Sequence, residues 1–185
     1  MSWRVTYSKE SRATLSAVST STGAISANVV LKATDRVELR ESDGTIVRLG
    51  AGATFEIKDS PLGNRPEYLG PVYISRKGGC GKYVTSCWVA VANPLSDRPD
   101  VFIKPGDQVD VDEFYAISGD IVIYEFDEDA KTFTICTVHE GEKALIAFDS
   151  KASKMRNRYK AKVVPYSDLE YEYVLKEFID KRNWK

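Results

Sequence analysis

The feature that most constrains this fold is a succession of short apolar or alternating segments, each closed by turn-forming residues. The clearest case is the hairpin of residues 37–49, whose centre reads Ser-Asp-Gly. A three-residue loop there pairs Leu39 with Val47 and keeps the apolar side chains on one face, whereas a two-residue loop would mix the faces. That register requires Gly44 in a left-handed conformation. The pattern predicts antiparallel β-structure.

Further strands are predicted along most of the chain. Residues 121–126 and 132–138 flank a polar loop and predict a second hairpin. The Ser- and Thr-rich residues 11–26 favour a polar edge strand over a flexible linker, because Thr, Val and Ile recur there. The remaining predicted strands are one that carries Phe55 and Ile57, residues 68–74, residues 84–91, the segments from Val101 onward, and residues 144–148.

The C-terminus carries the one helical pattern in the chain. Ser167 and Glu170 have the spacing of a capping box, in which each side chain bonds the backbone of the other residue. Apolar residues then recur at helical spacing, which predicts a helix over 168–182 with these side chains as core anchors. The anchors are Tyr171, Val174, Leu175 and Phe178.

Together these elements predict a mainly β protein: an antiparallel β-sandwich or rolled sheet of roughly ten or more strands, with one C-terminal α-helix. The 185 residues suffice for one sizeable core, and no repeat or clean boundary divides them. Residues 1–185 are therefore expected to form a single β-rich domain.

Composition excludes several functional classes. Lys and Arg total 26 against 27 Asp and Glu, and this balance argues against a dedicated nucleic-acid binder. No apolar run reaches the roughly 18 residues of a membrane helix, and the N-terminus lacks the apolar stretch of a signal peptide. These features predict a cytoplasmic protein, unless a membrane segment precedes the sequence.

No catalytic or metal signature is complete, so we predict neither an enzyme nor a cofactor. His139 is the only histidine, and no nucleophile motif surrounds a serine or cysteine. Four residues form the only fallback metal set, but six residues separate its first two cysteines, wider than structural zinc pairs usually are. That set is Cys80, Cys87, Cys136 and His139.

A basic stripe is the one surface feature that suggests binding. In residues 151–164 cationic side chains alternate with other residues, so a strand would place them on one face. The stripe consists of Arg156, Arg158, Lys160 and Lys162. It predicts a site for an acidic protein face or another anionic partner. The alternative is that these charges protect an exposed edge strand from association.

Short motifs give the chain a resemblance to the FecR domain over about residues 20–150. They are residues 23–25, 35–39, 43–49, 52–57, 132–138 and 140–142, which are similar to that family's strands, its Asp-Gly turn and its Glu-Gly turn. The resemblance implies a β fold and a sensing or interaction module in bacterial signalling or envelope-associated assembly. It would place the chain in the periplasm if an N-terminal membrane segment were present. Residues 151–185 lie outside this resemblance and would contribute the basic strand and the C-terminal helix to the same domain.

A second resemblance points to a different class. Residues 105–107 and 114–121 are similar to part of a jelly roll of the cyclic-nucleotide-binding or cupin type, although the cupin metal histidines are missing. That resemblance implies a small-ligand-binding domain. It predicts a cavity lined by strands of residues 114–148, whereas an interaction module should be solid inside. The sequence leaves the oligomeric state open.

Overall fold

A computed structural model describes residues 2–59, 65–75, 89–92, 100–108, 110–126, 132–149, 151 and 158–185. Strands dominate these residues, and the chain ends in a helix. The strands are β1 (Trp3–Ser8), β2 (Leu31–Lys32), β3 (Val37–Glu41), β4 (Ile46–Leu49), β5 (Thr54–Lys58), β6 (Arg65–Leu69), β7 (Val72–Ser75), β8 (Val89–Ala92), β9 (Asp100–Pro105), β10 (Val111–Ser118), β11 (Ile121–Phe126), β12 (Thr132–Val138), β13 (Glu142–Phe148) and β14 (Tyr159–Pro165). The predicted mainly β class with one C-terminal helix is confirmed.

The strands form three antiparallel sheets. The largest has eight strands in the order β1-β3-β4-β7-β9-β10-β13-β14. Two three-stranded sheets, β12-β11-β8 and β2-β5-β6, supply the rest. Side chains from all three sheets join one buried apolar cluster, so the eight-stranded sheet has an inner face that is packed in the core. We call its opposite side the outer face.

Both predicted hairpins are confirmed. Leu39 pairs with Val47, and Gly44 adopts a φ of 90°, as the three-residue loop requires. In the second hairpin, β11 pairs with β12 from Ile121 opposite Val138 onward.

Two strand predictions were wrong. Residues 11–26 form a 3₁₀ turn (Arg12–Thr14) and isolated bridges instead of an edge strand, and one bridge joins Val18 to Ile25. Residues 68–74 are not one strand, because the chain turns at Gly70 with a φ of 92° and passes from β6 into β7 of another sheet. A β-carbon at Gly70 would lie 2.9 Å from Ala53 Cα, so this turn needs glycine.

The predicted helix is present in three parts. The α-helix α1 covers Asp168–Val174, a π-helical turn covers Leu175–Ile179, and a 3₁₀ turn covers Lys181–Trp184. We call residues 167–184 the C-terminal segment. The capping box of Ser167 and Glu170 is confirmed. No helix among the described residues is long and apolar enough to cross a membrane.

Only half of the predicted helix anchors are buried. Val174 and Phe178 are 1% and 3% exposed, as expected. Tyr171 and Leu175 were wrongly predicted to be core residues, since they are 39% and 41% exposed. The segment packs on the sheet through one side only, so side chains on its other sides stay partly exposed.

Candidate protein-interaction surface

One row of side chains crosses the outer face of the eight-stranded sheet. Directly opposed residues of antiparallel strands point to the same face, so the strand registers define the row. From β1 to β14 it reads Tyr7, Glu38, Arg48, Tyr73, Phe102, Tyr115, Lys143 and Val164. The C-terminal segment lies along this row. Its Phe178 ring is 4.7 Å from that of Phe102, and its Trp184 ring is 5.9 Å from that of Tyr7.

Arg48 holds the end of the C-terminal segment on the sheet. Its Nε donates to Glu38 over 2.9 Å, and its Nη1 donates to the carbonyls of Phe178 and Ile179 over 2.5 and 3.0 Å. Both members of the ion pair are buried, with side chains 7% and 3% exposed. Burial by itself would raise the pKa of Glu38, but hydrogen bonds led by that from Arg48 lower it below the usual range.

A second polar cluster holds the start of the segment. Lys143 forms an ion pair with Glu170 of α1, and the Tyr115 hydroxyl lies 3.1 Å from the same carboxylate. Glu113 accepts from Tyr115 over 2.8 Å and pairs with Lys104 over 3.2 Å. Burial opposes ionisation of Glu170, yet its hydrogen bonds lower its pKa to about 2. Glu170 therefore caps α1 and also fixes it to the sheet.

Two surface clefts flank the C-terminal segment. We call the one beside α1, about 320 Å³, the anchor cleft; its lining is Phe102, Lys104, Tyr115, Leu169, Glu170, Tyr173 and Val174. The other is about 300 Å³ and lies between the segment and β4, with Gly50, Pro71 and Tyr173 among its lining residues. Leu169 and Tyr173 remain 77% and 50% exposed. Large apolar side chains held in water beside a cleft are typical of an interaction surface.

The structure places the predicted basic stripe in parts. Arg156 lies outside the described residues. Arg158 lies in a bend directly before β14 and is half-buried, and among the described residues its buried Nε has no hydrogen-bond partner. Lys160 and Lys162 are exposed on β14, an edge strand, and pair in register with Ala147 and Leu145. This register puts both lysines on the outer face.

The fallback metal set is not assembled in the described part of the chain. Cys80 and Cys87 lie outside the described residues. Cys136 is a half-buried free thiol on β12, and burial raises its pKa to about 11. His139 is exposed in the turn after β12 and bonds Asp120 over 2.9 Å. Nowhere in that part do three or more His, Cys, Asp or Glu residues converge on a possible metal position.

The Asp120–His139 pair allows a test by pH titration. Asp120 accepts a hydrogen bond from the His139 ring, which raises the pKa of His139, so its NMR titration should lie above the ordinary value of about 6.5. Asp120→Asn should move the midpoint down. The stabilisation from this pair is complete below the unfolded pKa and is lost as the pH rises through the folded pKa. Glu142→Gln is the control, with a smaller shift because Glu142 contributes least; equal shifts would contradict the assignment.

The sequence predictions missed the outer row and its polar contacts. Glu38 opposite Arg48 follows from the hairpin register, so that ion pair was within reach of the sequence. The positions of Tyr73, Phe102 and Tyr115 in one row depend on strands far apart in the chain, and no local signal reports them.

One solved structure has a fold similar to that of this chain. No family model matches this chain, and no curated protein matches it. A solved structure from Parabacteroides distasonis, described as that of a candidate anti-sigma factor, superimposes with a TM-score of 0.53 at 10% sequence identity. The two proteins share a fold. The match covers 80% of this chain and 63% of the neighbour, so this chain spans less than two thirds of that protein's length.

Proposed function

We propose that residues 1–185 act as one non-enzymatic sensing and interaction module of the FecR type, in bacterial signalling or envelope-associated assembly. The fold shared with a candidate anti-sigma factor supports this class, and the FecR-like motifs noted in the sequence agree with it. The module would recognise an acidic face of a protein partner through the outer edge of β14.

The observation that carries this proposal is the pair of unpaired lysines on β14. Lys160 and Lys162 project from the same face of an edge strand and are exposed. Among the described residues neither lysine has an ion-pair partner, whereas Lys104 and Lys143 on the same face are both engaged. Unpaired cations on a fixed backbone attract anionic groups without first breaking an internal ion pair.

The jelly-roll alternative gains less support. It requires a cavity among the strands of residues 114–148. Among the described residues, the inward side chains of these strands instead pack in the main core, and seven of them are fully buried: Phe114, Ala116, Ile121, Ile123, Val138, Ala144 and Ile146. For this part of the chain, close packing of the core favours recognition through the surface.

Charge reversal tests the proposal. The variant K160E/K162E should weaken binding of fluorescein-labelled dodeca-glutamate at least tenfold by anisotropy at low salt, because like charges then face the probe. The free energy of unfolding should stay within about 1 kcal/mol, since exposed charges contribute little.

The matched control is K181E/K185E, which makes the same change in net charge at two exposed positions of the chain end. It should retain binding. If both double variants lost the same affinity for the probe, net charge alone would explain the effect, and a binding site at Lys160 and Lys162 would be contradicted. A DNA oligonucleotide that bound more tightly than dodeca-glutamate would contradict a protein partner. Aggregation of K160V/K162V with unchanged probe binding in K160E/K162E would instead assign the lysines to edge protection.

A further inference from the structure

We infer that the anchor cleft beside α1 receives one aromatic or large aliphatic side chain from an acidic segment of the partner. This inference rests on the proposed function, because it names what the partner presents next to Lys160 and Lys162. The cleft, the exposed helix side and the charge pattern support it separately.

The cleft has the form of an anchor pocket. Its lining includes the buried Phe102 and Tyr115 rings, each 1% exposed, whose centroids lie 5.6 Å apart. Val174 also lines it, and its volume of about 320 Å³ is large enough for a single large side chain. Binding energy at protein interfaces concentrates in such preformed pockets, where a partner's aromatic or aliphatic group loses its contact with water.

The helix side that borders the cleft is unusually apolar for a surface. Leu169 and Tyr173 are four residues apart and so lie on the same side of α1. Both line the cleft and both are at least half exposed. The acidic Asp168 and Glu172 each precede one of them, which turns these carboxylates about 100° away around the helix axis. An apolar ligand group in the cleft would cover Leu169 and Tyr173 together.

The charged residues around the cleft indicate the sign of the charge that the partner should carry. Strand registers place Lys104, Glu113, Leu145 and Lys162 in one cross-strand row, which runs from the cleft to the sheet edge. Lys104 and Lys143 balance Glu113 and Glu170 through ion pairs, whereas Lys160 and Lys162 have no ion-pair partner among the described residues and make the adjoining edge of the sheet positive. The complementary ligand is therefore acidic.

The spacing of the row also sets the spacing in the ligand. Three strand intervals separate Lys104 from Lys162, or about 14 Å. An extended peptide covers this distance in about four residues. We therefore expect carboxylates three to five residues from the apolar anchor.

A peptide series tests the pocket. The probe is fluorescein-labelled Gly-Trp-Gly-Gly-Asp-Glu-Asp-Gly, compared by anisotropy with a peptide that has Ala for Trp and with one that has Asn and Gln for the acids. The Trp peptide should bind at least tenfold more tightly than either. Leu169→Ser should lower the affinity for the Trp peptide at least tenfold and leave the weak binding of the Ala peptide unchanged.

The control variant is Leu175→Ser, which removes a 41% exposed leucine of the same segment that does not line the anchor cleft. It should bind the Trp peptide like the parent chain. Loss of binding in K160E/K162E, with equal affinities for the Trp and Ala peptides and no effect of Leu169→Ser, would overturn the pocket and spare the proposed function. Binding insensitive to K160E/K162E would overturn the proposed function itself. A concentration-dependent dimer abolished by Leu169→Ser would assign the cleft to a second copy and also overturn the inference.

Discussion

Arg48→Ala is expected to lower the free energy of unfolding by about 3–5 kcal/mol, the range for breaking a buried ion pair by removal of one partner. The substitution leaves Glu38 buried without its main cation and removes the donor of the Phe178 and Ile179 carbonyls. Urea denaturation measures the loss. Hydrogen exchange should also show faster exchange in the C-terminal segment, because its end loses its attachment to the sheet.

Arg40→Ala is the matched control for this prediction. Arg40 also bonds Glu38, over 3.0 Å, but its side chain is 52% exposed, so its removal should change stability by about 0–1 kcal/mol. Replacing both Glu38 and Arg48 by Leu should be less damaging than Arg48→Ala, because no unpaired charge remains. Equal effects of Arg40→Ala and Arg48→Ala would contradict the role given to Arg48.

The pH dependence of Arg48→Ala should have a defined sign. In the parent chain the pKa of Glu38 is lowered, so its contribution to stability is present above the unfolded pKa and is lost as the pH falls through the folded pKa. Without Arg48, burial is the largest influence left on this carboxylate and favours its neutral form. The stability difference between the two proteins should therefore be greatest at neutral pH and shrink in acid.

Phe178→Ala should have an effect of similar size, about 3–5 kcal/mol, as expected when a buried phenylalanine is truncated. Phe178 is 3% exposed and packs between Phe102 and Trp184. It also fits closely against Gly50, where a β-carbon would lie 2.9 Å from its ring. Thermal denaturation measures the loss, and the near-ultraviolet circular dichroism of the aromatic cluster should weaken with it.

Leu175→Ala provides the comparison within the same helical turn. Leu175 is 41% exposed, so its truncation should stay within about 0.5 kcal/mol. Combining Phe178→Ala with Arg48→Ala should cost less than the sum of the single changes, because both residues hold the same segment. Two results would contradict the role given to Phe178. One is that the stability losses of Phe178→Ala and Arg48→Ala are strictly additive, and the other is that Leu175→Ala lowers stability as much as Phe178→Ala does.

Several features of this protein follow from its sequence alone, because they depend on residues close together in the chain. The Ser-Asp-Gly loop specifies the register of residues 37–49 through backbone geometry at Gly44. The capping box of Ser167 and Glu170 likewise marks the first turn of α1. The spacing of Val174 and Phe178 identified a helix with an apolar side, and the alternating strands identified the β class.

Only the tertiary structure decided which of these groups are buried and which meet. Arg48 reads as an ordinary polar position on a hairpin, yet the carbonyl of Phe178, 130 residues later, completes its hydrogen bonds. Tyr171 and Leu175 have the same helical spacing as the buried anchors but remain 39% and 41% exposed. Local periodicity defines a helix side, whereas the register of distant strands decides what that side rests on. The candidate surface depends on this long-range register, and local sequence patterns do not carry that information.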